Sequence, residues 1–264
     1  MMHCILRQWI NIDKIKWEEL SKNPEAIHLF ETNLDKIYWR NLSANSSAIH
    51  LLEANPDKIH WDMLSMNLEA IHLLEANLDK INWRCLSFNP AAIQLLKANP
   101  DNIHWDMLSM NPLAIHLLEA NQDKIHWDAL SMNSKAIHLL ETNPDKIQWR
   151  FLSKNLAAIH LLEANSNKID WEFLSLNTSA LSLLESNKDK INWSLLSENS
   201  SAIHLLEANQ DNIDWRNLFV NPAIFTYNYV DMHKQMWKEN GIAQGLMEYI
   251  YHPRNIHKWK HDDD

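Results

Sequence analysis

A chain of 264 residues that is 46% hydrophobic could hold one or two globular domains, but its two glycines supply few of the turns that a β-rich fold needs. Its formal charge of −10, from 34 acidic against 24 basic residues, opposes non-specific binding to nucleic acid, which depends on Lys and Arg neutralising phosphates. Cys4 and Cys85 form neither a disulfide framework nor a short metal-type spacing, and no apolar run approaches the roughly 18–20 residues of a membrane span. Residues 1–11 lack a signal-peptide pattern, so the expectation is a protein that is neither secreted nor transmembrane.

Residues 1–10, with Ile5 and Trp9, read as an N-terminal cap on a repeat array. From Asn11 to position 220 the chain is ten copies of a 22-residue unit, and its tryptophans keep that beat from Trp17 through Trp39 and Trp61 to Trp215. The beat runs on to Trp237 and Trp259 in altered surroundings. Each unit has two halves, N-x-D-K-I-x-W-x-x-L-S-x and N-x-x-A-I-H-L-L-E-x, and both begin with asparagine in every repeat. Asparagine is a strong N-cap and proline, as in Asn55-Pro56 and Asn111-Pro112, is favoured just after one, so each half predicts a short helix. A ladder of asparagines bonded between layers is a second use for the same residues. Such short helices do not persist alone in water. Ile59, Trp61 and Leu64 in one half, with Ala70, Ile71, Leu73 and Leu74 in the other, cover more than one side and suit helices sandwiched between neighbouring repeats.

The fold class expected is therefore all-α: an α-solenoid of about ten two-helix repeats over residues 11–220, capped at both ends, with the tryptophans as internal wedges. With layers about 8–10 Å apart it would be a rod or superhelix roughly 80–100 Å long. Residues 221–257, rich in tyrosine and holding both glycines, predict a C-terminal helical cap, and residues 258–264 a flexible tail.

The phrases N-P-D-K-I-H-W and A-I-H-L-L-E-A-N, with the closing N-P-A-I-F and Y-H-P-R-N-I-H, resemble the short Asn- and Trp-containing repeat proteins of giant DNA viruses of amoebae. That resemblance covers nearly the whole chain. It implies a viral protein of the host cytoplasm or viral factory, acting by interaction and bringing no catalytic residues with it.

Chemistry is hard to find in a chain whose acids and histidines recur identically, because an enzyme builds one asymmetric site. Histidines recur at one position, from His28 and His72 to His138 and His204, but layers ~10 Å apart could not share a metal whose nitrogens must lie near 2 Å, and Gln94 and Ser182 replace two rungs. No catalytic residue, metal or cofactor is expected. The recurring Glu, as Glu53 and Glu75, lies near a helix C-terminus and should pair with the lysine five residues on, Lys58 and Lys80. A binding role should sit where the units differ, beside each tryptophan. Those positions are either unconstrained solvated sites or a recognition face whose candidates are Arg40, Arg84, Arg150, Arg216, Tyr38, His60, His104 and His126. The expected partner is a host or viral protein, with no nucleic acid and no membrane. A monomer is favoured, while self-association as a structural component of a virion or viral factory is the alternative.

Overall fold

The computed structural model of the protein describes residues 4–227. They fall into two compact units, one from Gln8 to Ile224 and one that holds residues 4–7 and 225–227. In the second of these, strands β1 (Cys4–Leu6) and β2 (Phe225–Tyr227) pair antiparallel with Ile5 opposite Thr226. Phe225–Tyr227 is thus extended where a helical cap was expected, Pro222–Ile224 forms a 3-10 turn, and residues 228–257 of that cap, the tail and the last two tryptophans of the beat lie outside the described residues.

The larger unit is helical throughout, built of short α-helices and 3-10 turns repeating in register. Its second half-repeats are as anticipated: a turn runs into a short helix such as Ile137–Thr142. The first halves are not single helices. A 3-10 turn such as Pro144–Lys146 is followed by an extended isoleucine, Ile147 with φ −64° and ψ 124°, before the helix Trp149–Leu152 begins. The break has a tertiary cause. The N–H of the residue before each tryptophan from Trp39 to Trp215 donates to a serine Oγ one layer back, as Gln148 to Ser131 at 3.0 Å, and cannot also donate within a helix. That hydroxyl in turn donates to its own Trp127 carbonyl at 2.8 Å.

The two sets of asparagines do different work. In the second halves each caps its turn, as Asn133 Oδ1 accepts from Lys135 N–H, while Nδ2 donates to two carbonyls of the preceding layer, Ser109 at 3.0 Å and Asn111 at 3.0 Å. Both anticipated uses, cap and ladder, are therefore filled by the same side chain, buried and fully bonded. The first-half asparagines after Asn11 correct the capping expectation: Asn121 and its equivalents make no N-cap bond and instead donate back to the carbonyl four residues earlier, Leu117 at 2.9 Å. They close the helix before them rather than opening the turn after them.

The ladder has no end within this unit. Asn23, in the first repeat, donates to Phe219 O at 3.2 Å and Asn221 O at 3.0 Å, the bonds that every other rung makes to the layer before it. The turn Pro222–Ile224 packs on Ser200–Ala202 on one side and on Pro24–Ala26 on the other. Lys14 lies over Trp215 at 4.3 Å, as Lys124 lies over Trp105, and Arg216 reaches Glu19 at 2.8 Å. Ten repeats thus close into a ring, which corrects the expectation of an open rod or superhelix. At the junction Phe219 replaces the serine of the other nine repeats and is fully buried.

The core lies between layers and consists of the invariant leucines and alanines. Leu64, Ala70 and Leu74 have no exposed surface, and the same three positions are buried in repeat after repeat. The tryptophans are not its internal wedges: each of the ten is only half-buried, with one flank at the surface. Indole is too large to fit between layers whose spacing is set by backbone-to-side-chain bonds of about 3 Å, so leucine and alanine take the interior.

Candidate interaction surface

Shallow grooves of like construction lie beside Trp17 and Trp127. At the junction the groove encloses about 560 Å³ between Trp17, Lys16, Glu18, Glu19, Asp35, Lys36, Tyr38 and Arg216. Its counterpart at Trp127 encloses about 400 Å³ and is lined by His126, Asp128, Asp145, Lys146 and Gln148. Indole, a carboxylate one layer on and the residue before the next tryptophan are common to both.

The lysine of the D-K pair takes one of two places in this groove. Lys80, Lys124, Lys168, Lys190 and Lys14 lay their ammonium over the indole of the neighbouring layer, 4.3–4.6 Å from the ring centroid. Lys36, Lys58 and Lys146 turn instead to the aspartate beside them, Lys36 to Asp35 at 3.1 Å. Neither place is on the recurring glutamate, so the expected Glu–Lys pairing is corrected. The glutamate meets the histidine of the next layer: Glu53 with His72 at 2.9 Å, Glu119 with His138 and Glu185 with His204 at 3.0 Å. The second half-helix runs straight on from its turn, which aims its histidine at the preceding layer's glutamate. Since both partners are about half exposed, each pair contributes well under about 1 kcal/mol.

The eight candidate residues divide into two groups. Arg40 pairs with Asp62 at 2.7 Å, Arg84 with Asp106, and Arg150 with Asp170 at 3.8 Å while its guanidinium stacks over Phe173. Arg216 bonds Glu19 across the junction. All four are thus already engaged with an acid of the following layer. Tyr38, His60, His104 and His126 are exposed, and the frame holds them by the backbone, each N–H donating to the serine one layer back and each carbonyl accepting from the leucine four residues on. The variation before the tryptophan is partly explained by capping. Where that residue is Asn82, Asp170, Asn192 or Asp214, its side chain accepts from the first turn of the helix it precedes.

Glu19 escaped notice in the sequence because it matches no repeating acid. It is 5% exposed and bonded by Lys22 at 2.6 Å and by Arg216. Burial by itself would raise its pKa, but the hydrogen bonds and charges of Lys22 and Arg216 outweigh burial and hold it below the usual 4.5. An acid depressed on folding stabilises above its unfolded pKa, and that stability is lost as pH falls through the lower, folded value. Glu19→Gln should therefore weaken the protein at neutral pH and flatten the acid limb of its stability curve below about pH 4.5, as read by urea denaturation across pH. An unchanged acid limb would show that the junction does not depend on this ion pair. Burial raises Glu198 in the opposite sense, against the attraction of Lys154 and Lys22.

Fold and surface together define a closed helical-repeat protein whose frame is invariant and whose groove residues vary. The family model described as Periplasmic copper-binding protein (NosD) matches residues 62–251, and by the extent of that match the chain belongs to this family. The family is one of β-helices, whereas the repeats of this chain are built of short α-helices and 3-10 turns. No curated protein and no solved structure matches. Copper does not fit the groups present: among the described residues no three His, Cys, Asp or Glu side chains are grouped to hold a metal, and each paired ladder histidine presents Nε2 to a glutamate. Nor is any described helix long and apolar enough to cross a membrane.

Proposed function

We propose that the protein is a non-enzymatic recognition scaffold, a solenoid closed on itself, that binds another protein along the grooves beside its tryptophans. One observation carries this reading. The bonds that hold the layers together come from backbone, serine and asparagine, so Tyr38, His60, His104 and His126 are left exposed and free to vary without cost to the frame. Aromatic and imidazole side chains at a rigid surface give contact area with little ordering penalty. The likeness of the repeat phrases to those of giant amoebal viruses makes the partner a host or viral protein, met in the host cytoplasm or the viral factory.

The test is capture of partners by the tagged protein from infected amoebal cells, against a variant with Tyr38, His60, His104 and His126 all changed to alanine. A discrete protein retained by the native chain and lost with the variant supports the reading. Capture that the substitutions do not alter would remove this face from it. The second reading, a self-associating component of a virion or viral factory, draws on Leu34, Leu68, Leu78, Leu113 and Leu156, each about half exposed. Sedimentation that shifts with concentration would favour it, and a constant monomer would not.

A further inference from the structure

Two of the ten tryptophans have no lysine of their own. At the position that carries Lys80 or Lys124 elsewhere, the chain has Asn102 beside Trp83 and Asn212 beside Trp193. Five other layers place an ammonium 4.3–4.6 Å above the indole, so the groove geometry itself accepts a primary ammonium at that spot. Asparagine is too short to reach over the ring, and among the described residues no cation stands on either face. At Trp193 the groove positions themselves are acidic, with the charge of Arg216 acting on Asp214 beside them. The positions equivalent to the lining of the junction groove are Glu172, Asp211 and Asp214, with Ser194 between them, and no lysine or arginine. Asp214 is held as a carboxylate by Ser194 Oγ at 2.7 Å and by the N–H groups of Arg216 and Asn217.

We propose that the indole faces of Trp83 and Trp193, which have no lysine of their own to cover them, are receptors for lysine side chains of a basic segment in the partner protein. The incoming ammonium takes the place that the protein's own lysine fills in five other layers. This rests on the reading of the array as a protein binder and names the chemistry of what it binds. The two receptors stand five repeats apart in a ring of ten, on opposite sides of it.

The same repeat supplies the test. The native protein is titrated with an eight-residue Gly-Lys repeat peptide, and separately with that peptide bearing acetylated lysines, while the indole N–H resonances are followed by NMR. Trp83→Phe and Trp193→Phe identify the two signals. The lysine peptide is expected to move these two indoles first, and the acetylated peptide neither. Asn102→Lys and Asn212→Lys install a residue that other layers already carry, so the frame is kept, and each should weaken binding at its own site by about two- to fivefold. Gln210→Lys adds the same charge beside the Trp193 groove and controls for simple repulsion; Lys188 already occupies that position in another repeat. Lys80→Asn should make Trp61 respond as a third receptor. Equal movement of all indoles, or equal loss with the control lysine, would overturn the proposal, because the peptide would then be reading only net charge. That failure would leave the partner capture through Tyr38 and its neighbours untouched, so the two claims fail separately.

Discussion

Asn133→Ala is expected to lower stability by about 2–4 kcal/mol, far more than a cap alone supplies, because it strips a buried rung of every bond it makes. The side chain is 2% exposed, and its loss leaves the carbonyls of Ser109 and Asn111 and the N–H of Lys135 short of a partner. Asn121→Ala, in the same repeat, removes one bond to Leu117 at a partly exposed corner and should cost about 1 kcal/mol. Urea denaturation of the two variants side by side checks the claim. Equal losses would mean that the ladder acts only as a set of caps, and that the bonds between layers add little.

Phe219→Ser restores the residue found in the other nine repeats and is nevertheless expected to destabilise by about 3 kcal/mol or more. Agreement with the repeat consensus usually stabilises. Here the position lies where the last repeat meets the first. The Phe219 ring is wholly buried, its carbonyl accepts from Asn23, and the next residues of the junction are Glu19 and Arg216. Removing the ring would leave a cavity at the one interface that closes the array. Thermal denaturation of the variant, with hydrogen exchange at Asn23 and Asn221, would show the loss concentrated there. A variant as stable as the parent would mean that this junction is packed like the other nine and that the phenylalanine has no special part in closure.

Seen from the sequence, the all-helical repeat, its 22-residue period and the layered leucine and alanine core were all legible, because periodic burial is written directly in residue type. Leu64, Ala70 and Leu74 recur at fixed places and are buried wherever they recur. The second-half asparagines were legible as caps and as a ladder, since a buried amide with both ends bonded can serve both purposes. The histidine ladder was legible as a ladder, but the glutamate it meets one layer back, as His138 meets Glu119, was not, because that pairing depends on how the layers stack. The candidate face was legible as variation beside the tryptophans, but which members were free was not: an arginine engaged by an acid twenty-two residues on looks the same in sequence as one that faces water.

Local sequence thus determined the repeat and its turns, which depend on interactions within about a dozen residues, and residue type marked the core positions. Tertiary structure decided the rest. The first half-repeat breaks at Ile147 because the next N–H finds Ser131, seventeen residues away, a better acceptor than its own turn. The tryptophans sit at the surface because the spacing between layers is set by the asparagine and serine bonds and leaves no room for indole. Closure is the most distant decision of all. Each repeat carries the same small rotation relative to its neighbour, and only the sum over ten repeats brings Asn23 within 3.0 Å of the Asn221 carbonyl, a quantity that no single repeat contains.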